Sequence, residues 1–236
     1  MLSKVQQGAA VLAAAVLALS GCTPAGTAAV ATLRLMVPSG TTTDETKLDP
    51  AFPYLRVTRG KQVGFAWRGS VEGTPEGLVE VYYTSSGEVV RLRNGRLVGM
   101  LGLETEWRRV VEHAPPWSEL VNAREPSAFT RFRDVMPGYR SGVRDDLVLV
   151  RIATPARNVL LSVDPNTLTW FEERPRRRHS GLRGTPSDVL PPARYALDLS
   201  GGEPAVVYSE QCLAAGFCFT WQRWSTALQQ VSARAR

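Results

Sequence analysis

Val90-Arg91-Leu92-Arg93-Asn94-Gly95-Arg96-Leu97-Val98 is the stretch from which the fold can be read. Asn and Gly both tolerate a positive φ, so Asn94-Gly95 is a two-residue turn of the kind that joins antiparallel strands. Val90 and Leu92 alternate with Arg91 and Arg93, as a strand with one buried face requires. Upstream, Val63, Phe65 and Trp67 alternate with Gly64 and Ala66, and Val79, Val81 and Tyr83 alternate with Glu80 and Tyr82. Thr84-Ser85-Ser86-Gly87 reads as the turn that leads into Val89–Arg93.

Downstream, strands are expected at 147–152, 158–163 and 167–172, the last two joined by the compact turn Asp164-Pro165-Asn166. Further strands are expected at 194–199, 205–209 and 217–224. One stretch departs from the two-residue period. Leu103, Trp107, Val110 and Val111 fall at i, i+4, i+7 and i+8, a spacing that predicts a short amphipathic helix ended by Pro115-Pro116. The fold class expected is mainly β: an antiparallel sandwich or open barrel with one or two short helices.

The N-terminus assigns a compartment. Lys4, an apolar run from Ala9 to Leu19, and Leu19-Ser20-Gly21-Cys22 have the order of a bacterial lipoprotein signal. In such a signal a lipid is joined to Cys22 and the chain is cut before it. The apolar run is short of the about 20 residues that span a bilayer, so acyl chains are the expected anchor. Thr23 follows where Asp would signal retention at the inner membrane, which directs the expectation to the outer membrane of a Gram-negative cell, facing the periplasm. The chain then divides into a signal at 1–21, a lipidated tether at 22–53, a β-rich domain at 54–224 and a tail at 225–236. A cleaved cysteine signal also explains the odd cysteine: Cys212 and Cys218 remain as a pair, expected to close a disulfide across a tight turn in an oxidising compartment.

Charge and composition narrow the function classes. The formal charge is +6, with a basic cluster at Arg174-Pro175-Arg176-Arg177-Arg178. Outside the cytoplasm that excess points away from nucleic acid and towards anionic glycans or lipid phosphates, or to a solvated loop. The two histidines, His113 and His179, lie in no catalytic or metal-binding spacing. Asp145-Asp146 is the most obvious carboxylate pair, but neighbours on a strand point to opposite faces and cannot flank one glycosidic bond. Trp117 and Trp170 are the tryptophans least committed to a core, and Trp67 and Trp107 have core periodicity. No catalytic residue, cofactor or metal ligand is expected.

Four elements in order carry a family resemblance. Phe52-Pro53-Tyr54 is similar to a Leu-Pro-Tyr segment, and Asn94-Gly95-Arg96-Leu97-Val98 with Gly102-Leu103 to an Asn-Gly-Arg-Leu-Val hairpin followed by Gly-Leu. Asp134 through Pro137-Gly138-Tyr139 to Gly142 matches an Asp-x-x-Pro-Gly-Tyr-x-x-Gly element, and Tyr208-Ser209-Glu210-Gln211 a C-terminal strand. Together with the lipoprotein signal, these resemble the YjbF family, the group 4 capsule polysaccharide lipoproteins (GfcB-like). The resemblance implies a non-enzymatic accessory lipoprotein of exopolysaccharide or capsule assembly and secretion. Its partners would be the membrane through the lipid, and polysaccharide or export-machinery proteins through a sheet edge or loop face. The alternatives are a carboxylate-based glycoside hydrolase and a purely structural envelope lipoprotein. From the residues alone, Pro137-Gly138-Tyr139 is a turn whose tyrosine packs its ring and bonds backbone.

Overall fold

The computed structural model describes residues 48–176 and 189–225. Its strands are β1 (Tyr54–Arg59), β2 (Gln62–Thr74), β3 (Gly77–Thr84), β4 (Val89–Arg93), β5 (Arg96–Leu101) and β6 (Glu106–Glu112). After one helical turn, α1 (Trp117–Leu120), come β7 (Ser127–Met136), β8 (Arg140–Ile152), β9 (Thr169–Pro175), β10 (Ala193–Asp198), β11 (Ala205–Ala214) and β12 (Phe217–Trp224). Each strand pairs antiparallel with its neighbours in sequence, and β1 closes the ring on β12 from Tyr54↔Trp224 to Thr58↔Thr220. The result is the mainly β, antiparallel class that the sequence predicts, with the barrel closed rather than open: an up-and-down ring of 12 strands.

The Asn94-Gly95 hairpin forms as its sequence requires, with φ of 50° and 76° at the two turn residues and Arg93 opposite Arg96. Its tip does more than turn the chain. An ideal Cβ on Gly95 would lie 2.3 Å from Cβ of Val206 on β11, six strands away in either direction round the ring. The tip therefore crosses the lumen. β5 registers with β6 at the single pair Met100↔Trp107, which frees its first half to lean inward, and every residue from Arg96 to Met100 is buried. Nε1 of Trp107 likewise donates across the lumen to the Leu213 carbonyl at 3.0 Å. The barrel is flattened and filled.

The helix expected at residues 103–111 is instead bend and strand, and the reason is a bulge. In the β6–β7 ladder Trp107 faces Val135 and Arg109 faces Asp134, so one extra residue is absorbed between them. Trp107 and Val110, three apart, both become buried, and the inserted residue turns a two-residue period into a helix-like one. Pro115-Pro116 ends no helix; Pro116 is the N-cap of α1. β7 was not expected at all. Its buried residues run Phe129, Arg131, Arg133, Val135, and two arginines on the inner face erase the apolar alternation.

Residues 158–163, expected as a strand, form a strap over the outer wall. Gln222 holds it at two points: the Leu161 N–H donates to Gln222 Oε1 at 3.1 Å, and Gln222 Nε2 donates to the Leu161 carbonyl at 2.8 Å. The Val159 N–H donates to the Tyr208 hydroxyl. Leu160, Leu168 and Ile152 pack on Trp170, Ala196 and Tyr208, so the segment is apolar because it covers a wall rather than because it joins one. The Asp164-Pro165-Asn166 turn is a single 3-10 turn capped by the Asp164 carboxylate.

On β2 the buried face is also the other one. Ala66 is fully buried opposite Leu55, and Trp67 and Phe65 are half-buried against Tyr83 and Trp224. Cys212 and Cys218 are directly opposed in β11 and β12 and form the expected disulfide. The outer wall carries ion pairs, among them Arg194 with Glu172 and Glu210, where a membrane-embedded barrel carries an apolar band.

Candidate functional site

In an up-and-down barrel successive connections alternate between the two ends. The β2–β3 and β4–β5 turns, α1, and the β10–β11 loop gather at one end, and there the structure opens into a cleft of about 500 Å³. Exposed Val71 and Leu78 on the β2–β3 arm form one lip, and residues 204–206 the other. The floor is polar. Arg223 donates from Nη2 to Glu80 Oε2 at 2.6 Å, from Nη1 to Oε1 at 3.0 Å, and from Nε to the Val206 carbonyl at 2.9 Å. Arg68 Nη1 and the Tyr82 hydroxyl add bonds to Glu80 Oε1 at 2.9 and 3.1 Å. Burial raises the Glu80 carboxyl, but the bonds and charge of Arg223 with those of Arg68 outweigh it and hold the group below its ordinary range. Burial also pushes the Tyr82 hydroxyl up to about 12. Such a floor is a set of fixed charges rather than a proton donor.

Behind the hairpin turn lies a smaller pocket of about 150 Å³, which shares Asn94, Pro116 and Trp117 with the cleft. Arg93, Arg96, Glu76 and Glu112 line it. The Arg96 guanidinium lies 4.1 Å over the Trp117 ring, whose Nε1 donates to the Asn94 carbonyl at 2.7 Å. Glu112 is buried, which raises its carboxyl, and Arg96 opposes that rise while Glu173 adds to it.

Deeper in the lumen the charges are saturated. Arg133 grips Asp145 with Nε and Nη2 at 2.6 and 2.7 Å. Arg131 bridges Asp145 and Glu173 at 2.9 and 2.7 Å, and the Tyr195 hydroxyl completes Glu173 at 3.2 Å. Both guanidiniums lie over Trp107, at 5.0 and 4.7 Å. Desolvation lowers Arg131, and Glu173 and Asp145 more than restore it; Tyr195 is raised well above its usual range by burial. Asp146, next to Asp145, pairs with exposed Arg144, so the two aspartates do point to opposite faces.

The residues singled out from the sequence do not converge. Asn94, Gly95 and Arg96 belong to the cleft end, and Tyr54 begins β1 there, its hydroxyl accepting from the Asp49 N–H. Gly102 sits at the far end, with φ of 85°, and its N–H donates to Glu106. Pro137-Gly138-Tyr139 is the far-end β7–β8 turn, and Gly142 donates to Asp134 at 2.8 Å. Tyr139 does not pack its ring; it is 86% exposed at φ of 50°. Trp117 and Trp170 are buried, the latter donating to the Pro165 carbonyl, so neither offers a free ring face. His113 is exposed. Cys22, Arg177, Arg178 and His179 lie outside the described residues, while Arg174 approaches Glu172 and the Arg176 N–H donates to the Asp146 backbone carbonyl. Among the described residues no three His, Cys, Asp or Glu side chains gather as a metal site would need.

The sequence reading did not find Arg68, Glu80, Arg93, Glu112, Arg131 or Arg223. Charged residues inside strands ordinarily face solvent, and an arginine at the inward parity of its strand is the signal that marks the exception.

No family model matches the chain, and no curated protein matches it. Among solved structures it is similar to the hypothetical lipoprotein YmcC from Escherichia coli (K12), with 19% sequence identity, a TM-score of 0.47, and coverage of 82% of this chain and 93% of that one.

Proposed function

We propose that this protein is a lipoprotein of the outer membrane's periplasmic face and a non-enzymatic accessory of exopolysaccharide or capsule assembly and secretion. It engages glycan, or a component that carries it, in the cleft at the end of the barrel. The observation that carries the reading is the cleft floor. Glu80 is spent on Arg223, Arg68 and Tyr82, so the floor beneath the apolar lips is fixed for recognition rather than poised for proton transfer. Val71 and Leu78 supply the apolar surface on which a sugar ring face packs, and the floor supplies hydrogen bonds. Closure of the ring pairs the described strands on both sides, which moves recognition from a sheet edge to the end loops. Leu19-Ser20-Gly21-Cys22 supports the anchor and Thr23 the outer-membrane address.

Deletion of the gene should lower surface or secreted polysaccharide, and complementation by a Cys22→Ser variant should fail to restore it; unchanged polysaccharide after deletion would overturn the reading. A hydrolase is favoured by one observation, that Glu80 and Glu203 line the same cleft. Chain shortening of capsule polymer that is lost in Glu203→Gln would establish it.

A further inference from the structure

The pocket behind the hairpin turn is built around a guanidinium whose two terminal nitrogens have no hydrogen-bond partner among the described residues. Arg93 and Arg96 oppose each other across the turn, with side chains only 9% and 5% exposed. Two like charges so placed repel each other and have lost most of their hydration, so each needs a close partner. Neither carboxylate closes the gap. Arg93 Nη1 stops 3.8 Å from Glu76, and Arg96 Nε stops 3.9 Å from Glu112, both beyond hydrogen-bond reach. Nη1 and Nη2 of Arg96 find no hydrogen-bond partner among the protein's groups. Its plane is nevertheless fixed, over Trp117 at 4.1 Å with Phe129 and Tyr195 beyond.

We propose that this pocket receives the carboxylate of an acidic sugar, a hexuronate unit whose neighbours in the glycan lie in the adjoining cleft. The inference rests on the reading of the cleft as a glycan site and names the class of glycan. The flat guanidinium matches a carboxylate with two parallel N–H donors, a pairing that lysine cannot reproduce. The volume of about 150 Å³ suits one charged ring edge and not a chain, and the shared wall of Asn94, Pro116 and Trp117 joins it to the larger cleft. Against two arginines and two glutamates a carboxylate adds one negative charge and a phosphate dianion two, so the carboxylate is the less strongly repelled guest.

The test is titration of the full-length lipidated protein in detergent with tri-galacturonate, with its methyl ester and with inorganic phosphate, read by calorimetry and by Trp117-dependent fluorescence. Tri-galacturonate should bind at least roughly tenfold more tightly than the ester, and Arg96→Lys should remove roughly that factor for the acid alone. If Arg96→Lys does not fold, as judged by circular dichroism, the ratio of acid to ester affinity in the unaltered protein decides the point. Equal binding of acid and ester, or an unaltered preference in the lysine variant, would overturn the carboxylate pocket while leaving the cleft reading intact. Displacement of the acid by equimolar phosphate would overturn the sugar assignment. Binding of neither oligomer would overturn both.

Discussion

Replacing Arg131 by methionine should cost this protein about 3–5 kcal/mol, the range for breaking a buried ion pair from one side. Arg131 is 4% exposed and donates charge-assisted bonds to Asp145 at 2.9 Å and Glu173 at 2.7 Å. The two carboxylates are not equally exposed to the loss. Asp145 keeps the two-point grip of Arg133, whereas Glu173 keeps only the Tyr195 hydroxyl. Methionine keeps an unbranched apolar side chain beside Trp107, over which the guanidinium lies, so lost packing contributes little and the deficit falls on a buried, uncompensated Glu173. One consequence separates this account from a general loosening of the core. Arg131→Met with Glu173→Gln should recover most of the stability, because the double variant strands no charge. Urea unfolding followed by tryptophan fluorescence measures each term, provided the slope is unchanged. A deficit below about 1 kcal/mol, the value of a surface pair, would refute the claim that water is kept from this network.

Gly95→Ala should destabilise by about 2–5 kcal/mol, combining a left-handed backbone with overpacking against Val206. Because the contact is with Cβ of Val206, a second change to alanine there should not rescue it, and calorimetric unfolding of both variants decides the point. Gln222→Leu should release the strap at Leu161, read as faster hydrogen exchange of the Leu161 and Val159 amides with the barrel's own exchange unaltered; equal exchange would show that packing alone holds it. Glu80, held below its ordinary range, contributes stability that is present above its unfolded-state value and lost as pH falls through the folded one. The gap between wild type and Glu80→Gln should therefore close in acid. Tyr82, raised to about 12 from 10.0, acts oppositely: its contribution is complete below pH 10 and disappears as pH rises through 12, so Tyr82→Phe should flatten the alkaline limb of the stability curve.

The sequence announces this fold where local chemistry decides the outcome. Asn94-Gly95 turns because both residues accept positive φ, and Cys212 meets Cys218 because a short turn places them opposite each other. It misleads where a residue's neighbour comes from elsewhere in the chain. The bulge beside Trp107 imitates a helix period, and the apolar strap at residues 158–163 imitates a strand because it packs like one while bonding to the Gln222 and Tyr208 side chains. The cleft was harder still to read. Glu80 and Arg223 look like surface charges in alternating strands, and their meeting depends on ring closure, which brings β3 and β12 within three strands of each other. Arg96 was singled out as part of a turn motif, and nothing local says that its guanidinium is buried against Trp117.

The hairpin tip that crosses the lumen ties the order of assembly to the order of the chain. Neighbouring strands of the meander can pair as they emerge, since each ladder is local in sequence. Gly95, however, seats against Val206, which comes late in the chain, so the tip must wait exposed until β11 arrives. Its docking, the burial of Arg96 and the shaping of the cleft are thereby one late event, and a chain cut short before β11 would hold the hairpin without the site.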